Sequence, residues 1–516
     1  MVAALLRGGA SPNSRDKNGR TPLWLASARN EPQIVELLLD SGAKPNELTN
    51  DGGSPLLAAS ERPVAEVLRL LVEGGADANT RASNRRTPLM NAVAAGADAA
   101  SVLALLNGKA NVNAEDDQNV SAIHLLSSQP VSPDVLEALL KFGANPNAMD
   151  SSFKTPLMEA CDHKNKPLVE ALLKNGARVD ARDRDFRTPL MHAAGSGANE
   201  EIFSLLAAAG SDVNETGRDG ISAIMLAISP KIDKAALKAL LKLGADPNRA
   251  NHETITPLMN AVAEDDEAAL KILIENGANP NQATWDGFTT LMMSAQRIRE
   301  ASDVFKFLAE SGADANLKNQ RGLTALMIAA ASNNPYAVES LIQLGADINA
   351  PDADGYTSLT HAALSREEND DNLRVLDILL SAGVSVDAPD AGGATPLMHA
   401  LAAGKAETAK RLIDAGANSN ASDKVGWTPF HFAARSPNIE VLQLLLTSTR
   451  REKAVLDRPD SGGTTPLMIA ASSDNEPAVK LLLEAGANAR RPDNTGRNAR
   501  DYAMIKDAAN ALKAFE

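Results

Sequence analysis

Apolar and polar positions along this chain recur as a unit of 33 or 34 residues. Each unit opens on a hydroxyl-bearing residue and a short apolar run, as in Thr188-Pro189-Leu190-Met191-His192-Ala193-Ala194. After a brief polar turn comes a second apolar run, as in Ile34-Val35-Glu36-Leu37-Leu38-Leu39, closed by Gly42-Ala43. A polar stretch then leads through Lys44-Pro45-Asn46 to Asp51-Gly52 and the next opening. The opening motif starts at Thr21, Ser54, Thr87, Ser121, Thr155, Thr188, Ser222, Thr256, Thr289, Thr324, Thr357, Thr395, Thr428 and Thr465, with a degenerate copy at Asn498. Eleven of the fourteen separations are 33 or 34 residues; the others are 35 after Thr289, 38 after Thr357 and 37 after Thr428. Such a period over the whole chain predicts a row of like supersecondary units rather than several unrelated domains.

The residue types predict the local structure. Thr188 is a good N-cap, because its hydroxyl accepts from backbone N–H groups that the first turn leaves unpaired. Pro189 suits the first helical position, where its missing N–H is no loss. The alanines that follow allow close helix approach. Gly42 fits the stop of the second helix, and the polar stretch reads as a hairpin-like finger. No helix pair can hide its apolar faces alone, so neighbours must stack. The expected fold is all-α: helix-turn-helix repeats with short β-hairpin fingers, stacked into a curved solenoid of about 15 repeats. Residues 1–20 read as a partial repeat, 21–497 as fourteen repeats in one continuous solenoid, and 498–516 as a C-terminal cap. The cap turns Tyr502, Ile505, Leu512 and Phe515 inward. The start, with Val2, Leu5 and Leu6, reads as a second helix without its first: a natural half-cap or a piece of a longer chain.

Composition narrows the class. The chain is 44% hydrophobic but only 3% aromatic, so its core is thin and aliphatic. Its net charge of −15 argues against nucleic acid as a partner. One cysteine, Cys161, excludes an intrachain disulfide and reads as buried filler. No apolar run is long enough for a membrane helix. There is no phosphate-binding glycine loop and no histidine or cysteine cluster of zinc spacing, so neither cofactor nor metal is expected. His192, His361 and His399 share one position of the first helix and read as surface or groove residues.

The pattern resembles the ankyrin repeat, carried by the T-P-L-H-x-A opening, the L-L-L helix and the G-A-x-x-N turn. It departs from that family in one consistent way. The usual histidine appears only as His124 and His431, and nine units place methionine there: Met90, Met158, Met191, Met225, Met259, Met292, Met327, Met398 and Met468. One methionine per unit at a fixed position reads as packing. The resemblance implies an L-shaped unit and a concave face of fingers and first helices that binds partner proteins.

Candidate contact residues then lie in the fingers. The residue before each opening is often basic early, as in Arg86, Lys154 and Arg187, and apolar or aromatic late, as in Phe288, Tyr356 and Trp427. Phe153, Phe186 and Trp285 add exposed-type aromatics, which anchor interfaces. The position two before each opening is glycine in ten units, but Arg85, Asn119, Phe153, Phe186 and Thr254 replace it in five. A bulky residue there implies reshaped fingers. Arg81, Arg85, Arg86, Phe153, Lys154, Arg182, Arg184, Phe186 and Arg187 then make a basic-aromatic patch for an acidic partner segment. Two units carry insertions: a solvated loop at 365–371, and a longer finger at 447–457 bearing Arg450, Arg451, Glu452 and Lys453. The expected activity is a protein–protein interaction scaffold, monomeric and without catalysis. The alternative is the recognition arm of a larger enzyme or secreted effector whose active domain lies upstream. The compartment is cytoplasmic by default.

Overall fold

In the computed structural model the described residues are 1–128, 133–298, 303–448 and 453–515. They form two compact units, Met1–His252 and Glu253–Glu516. Both are built from the repeat that the sequence predicts. In the N-terminal unit Pro22–Ala28 and Pro32–Asp40 make one helix pair, and Pro189–Ser196 and Glu200–Ala208 make another. In the C-terminal unit Pro257–Ala263 pairs with Glu267–Glu275, and Pro396–Ala402 with Ala406–Asp414. First helices pack on the first helices of the next repeat, and second on second.

The opening motif acts as its chemistry requires. The Thr188 side chain accepts from Met191 N at 3.4 Å, and Thr21 from Trp24 N at 3.1 Å. The leucine after proline enters the core: Leu23, Leu157, Leu397 and Leu467 are all fully buried. Burying one such side chain contributes about 1.5–3 kcal/mol. Cys161 is also fully buried, and burial, with Asp162 beside it, pushes its thiol far above the usual range. Where Ser222-Ala223 opens the unit, the first helix shrinks to Ala223–Leu226, because Pro230 forces the chain out of helix.

The nine methionines are buried, at 0–4% exposure. They do more than fill space. In four repeats the sulfur lies 3.4–3.5 Å from the N-cap nitrogen, as Met398 does from Thr395 N. The two histidines make the same contact better, His431 Nδ1 with Thr428 N at 3.0 Å and His124 Nδ1 with Ser121 N at 3.1 Å. Their Nε2 atoms reach on to the next finger, at Thr464 O (3.0 Å) and Ala148 O (3.1 Å). Methionine keeps the first half of that link and drops the second.

Neighbouring repeats are tied by asparagines. Asn147 Nδ2 donates to Gly176 O at 3.0 Å while its Oδ1 accepts from Arg178 N at 2.7 Å. Asn46 and Asn281 do the same to Gly75 with Asp77, and to Gly312 with Asp314. Asp180 occupies this position one repeat after Asn147 and turns to Arg178 instead, at 3.0 Å.

The inserted loop at 365–371 is solvated over most of its length, as expected, but it is also a strut. Glu368 accepts from Thr408 N at 2.7 Å, and the Lys405 ammonium donates to Ser365 O. One repeat thus caps the second helix of the next, Ala406–Asp414. The C-terminal cap differs from expectation in part. Tyr502, Leu512 and Phe515 are half-buried, but Ile505 is 59% exposed, and the buried contacts come from Ala499, Ala503, Ala508 and Ala511. Of the longer finger at 447–457, Arg450, Arg451 and Glu452 lie outside the described residues.

Candidate protein-binding surface

Most fingers are tight turns closed by their own aspartate, while Thr49, Thr284 and Asn319 take that place in three others. In the finger at Asp183, the backbone N–H of Phe186 donates to Asp183 O at 3.0 Å. The Asp183 carboxylate Oδ1 accepts from Asp185 N at 2.9 Å and Arg187 N at 2.8 Å. The fingers are too short to form strands; the described residues hold only two isolated bridges, Thr216 with Ser222 and Ala283 with Thr289. A backbone bond joins most fingers to the next, such as Arg184 N to Ser152 O at 2.9 Å and Ala391 N to Asp354 O at 2.8 Å.

This geometry explains the glycines two before each opening. At Gly355 a Cβ would stand 2.6 Å from Ala391 N of the next finger, and φ is +85°. Phe153 and Phe186 hold the same conformation at φ 61° and 60°, and Arg85, Asn119 and Thr254 do likewise. The expectation of reshaped fingers is therefore corrected. At Phe153 and Phe186 the clamping aspartates Asp150 and Asp183 and the finger-to-finger bonds hold the turn, and the bulky residue carries the strain. The rings project outward, with Phe153 50% and Phe186 49% exposed.

The second carboxylate oxygen of these aspartates faces the first helices and is taken by a neighbour. His361 Nε2 lies 2.8 Å from Asp352 Oδ2, and His399 Nε2 lies 2.8 Å from Asp390 Oδ2. His192 is held on both sides, by Asp162 at 2.9 Å and Asp183 at 3.0 Å, and is 6% exposed. It is a buried bridge between repeats, not the surface or groove residue that the sequence implied. Asp162 also receives Lys154 Nζ at 2.7 Å. Burial opposes the Lys154 charge, but Asp162 and Glu159 outweigh it and hold the ammonium above its usual range.

The ten residues singled out from the sequence thus fall into two groups. Phe153, Arg184, Phe186, Arg187 and Trp285 are exposed, Trp285 at 73%. Arg86, Lys154, Phe288, Tyr356 and Trp427 are half-buried. Arg86 pairs with Asp116 at 3.2 Å, and Trp427 Nε1 donates to Asp460 at 3.1 Å and stacks on His431. Tyr356 lies edge-on to His361 and His399, with ring centres 5.9 and 5.3 Å apart. Much of the basic patch is already bonded within the protein. Arg85 approaches Asp117 at 3.9 Å, Arg182 pairs with Glu215, Arg81 donates to Glu115 O at 2.8 Å, and Arg184 to Ser151 O at 2.8 Å. These partners sit some 30 residues away, beyond the reach of local sequence reading.

A repeated helix pair with a clamped finger defines the helical repeat proteins as the class of this molecule. A family model described as ankyrin repeats (3 copies) matches residues 1–82, 30–116, 56–150, 123–217, 224–319, 291–390, 367–457 and 452–515. The chain belongs to the ankyrin-repeat family, whose repeats are protein-interaction modules. It is 36% identical over 110 residues to Neurogenic locus notch homolog protein 2 of Homo sapiens, covering 21% of this chain and 4% of that protein. It is 30% identical over 175 residues to Neurogenic locus notch homolog protein 1 of Xenopus tropicalis, covering 32% and 7%. The chain therefore spans a small fraction of the length of these relatives. Among solved structures, the human ASB11 ankyrin repeat domain is similar at 30% identity and a TM-score of 0.40, over 44% of this chain and all of that one. The ankyrin repeat domain of Bcl-3 is similar at 24% identity and a TM-score of 0.38, over 43% of this chain and 99% of that one. No helix among the described residues is long and apolar enough to cross a membrane.

Proposed function

We propose that this chain is a non-catalytic scaffold that binds a partner protein through its fingers and first helices. The observation that carries this reading is the pair Phe153 and Phe186. Two large apolar rings stand half exposed on successive fingers, at a backbone position that disfavours them. Stored strain of this kind, where glycine serves elsewhere in the same chain, points to a use for the side chain. Arg184 and Arg187 lie exposed on the second of these fingers and give the patch a positive edge. An acidic, apolar partner segment fits it.

The test is capture of binding proteins on the immobilised full chain, compared with a chain carrying Phe153→Ser, Phe186→Ser, Arg184→Glu and Arg187→Glu. The account expects a specific protein on the parent chain and its loss from the variant, with helicity unchanged. Equal capture by both chains contradicts the site, and no specific protein on either contradicts the scaffold.

A further inference from the structure

Phe186 has a neighbour from the next finger. The guanidinium of Arg218 lies over its ring, 5.8 Å from the centre. Arg218 Nη2 donates to Arg184 O at 2.9 Å, which anchors the group. Arg184 makes the same contact one finger earlier, its Nη2 donating to Ser151 O at 2.8 Å. Arg178 pairs with Asp180 at 3.0 Å, and Arg182 with Glu215. Arg218, by contrast, approaches Asp185 only to 3.8 Å, beyond hydrogen-bond range. It is exposed, and most of its N–H groups stay open to an incoming anion. Phe153, Phe186 and Arg218 thus follow one another on three successive fingers of the N-terminal unit, with both rings half exposed.

The backbone of these fingers is already engaged. Ser152 O accepts from Arg184 N at 2.9 Å and Asp185 O from Arg218 N at 2.8 Å, while Ser151 O and Arg184 O take the two guanidinium groups. That leaves no open edge for strand addition, so a partner meets side chains. Their spacing sets a period. Successive repeats stack about 8–10 Å apart. A polyproline II helix has three residues per turn and rises about 9 Å in each. Its residues i, i+3 and i+6 therefore face one way at the spacing of the fingers. A strand repeats a face about every 6.6–6.8 Å and falls out of step. An α-helix meets such a row only at every second turn, about 10.5 Å apart.

We propose that the row Phe153, Phe186 and Arg218 binds a polyproline II segment of a partner protein. Apolar side chains at i and i+3, proline foremost, pack on the two rings, and a carboxylate at i+6 meets Arg218. The inference deepens the scaffold reading above and rests on it. It adds the conformation of the occupant, its register, and Arg218 as the residue that selects the acid. Aromatic rings suit such a segment, because a preformed polyproline II helix loses little entropy when it docks. Arg218 suits the carboxylate, because a guanidinium anchored by a backbone carbonyl offers its remaining N–H groups as a fixed fork.

The test is selection of short random peptides displayed against the full-length chain, followed by synthesis of the enriched peptides and measurement of their affinity by fluorescence anisotropy. The expected result is enrichment of apolar residues three apart with Asp or Glu three further on. Arg218→Glu weakens binding by about tenfold or more, and changing the peptide's acid to Lys restores part of the affinity on that variant. A merely structural role of Arg218 would not give this exchange. Arg218→Gln, a milder change, weakens binding in the same direction, and Lys238→Glu, on the outer side of a second helix, leaves it unchanged. Peptides lost with Phe153→Ser and Phe186→Ser but indifferent to Arg218→Glu overturn the inference while the scaffold reading stands. So do enriched peptides whose apolar residues follow α-helical spacing. Peptides indifferent to all of these variants, or an empty selection, contradict both.

Discussion

Trp427 Nε1 donates to Asp460 Oδ2, 33 residues further along the chain, at 3.1 Å. The bond joins two successive fingers, and the same indole stacks on His431 and meets Phe432 edge-on. A finger aromatic is thus a strut on one side and a surface on the other. Trp427→Phe keeps most of the ring contact and removes the bond. It should destabilise the chain by about 1 kcal/mol, read as a lower urea midpoint at unchanged helicity.

Phe153→Gly and Phe186→Gly should act in the opposite direction. Both residues hold φ near +60°, a conformation glycine adopts freely. Each substitution should stabilise the protein by about 1 kcal/mol while weakening partner binding. Chemical denaturation with a binding assay on the same variants separates the two effects. A loss of stability would show that the rings are packing elements and not contact residues.

His124 and His431 predict a pH dependence. Burial holds both below the ordinary histidine value of 6.5, against the pull of Lys154 O and Thr464 O respectively. The folded protein keeps these rings neutral, while the unfolded chain takes up protons as pH falls through 6.5. Stability is therefore full above that value and declines below it until the folded rings protonate. The double variant His124→Met with His431→Met copies what nine other repeats contain. It should flatten this decline in thermal melts between neutral and mildly acidic pH, at the cost of the two bonds to the next fingers.

Asp180→Asn should repair the asparagine ladder. The new amide can donate to Gly210 O and accept from Asp212 N, as Asn147 does with Gly176 and Arg178. The exposed pair with Arg178 that it replaces contributes little. A gain of about 0.5–1 kcal/mol is expected, measured as an increase in the urea midpoint.

Much of the fold was legible in the sequence because it is local. The hydroxyl at Thr188, Pro189 after it and Gly42 past a second helix act within one turn, and the buried methionines follow from their fixed place in the period. The fingers were less legible. From sequence, Phe153 and Phe186 implied another turn, because the two forces that keep the turn are remote or shared: the clamping aspartate and the backbone bond to the next repeat. The candidate site was legible as a set of positions but not as a state of charge. Lys154 is bonded to Asp162, Asp162 to His192, and Arg86 to Asp116. Those pairs depend on how one repeat registers on the next, and no single repeat contains that information.

Site-specific photocrosslinking reports which face of the protein a partner touches. A photoreactive phenylalanine analogue is placed at Phe186, at Trp285, or at Lys238 on the outer side of a second helix. The full chain is then irradiated in native extract. The account predicts a discrete crosslinked protein from position 186 or 285 and none from 238. Crosslinks from position 238 alone, or from no position, would contradict it.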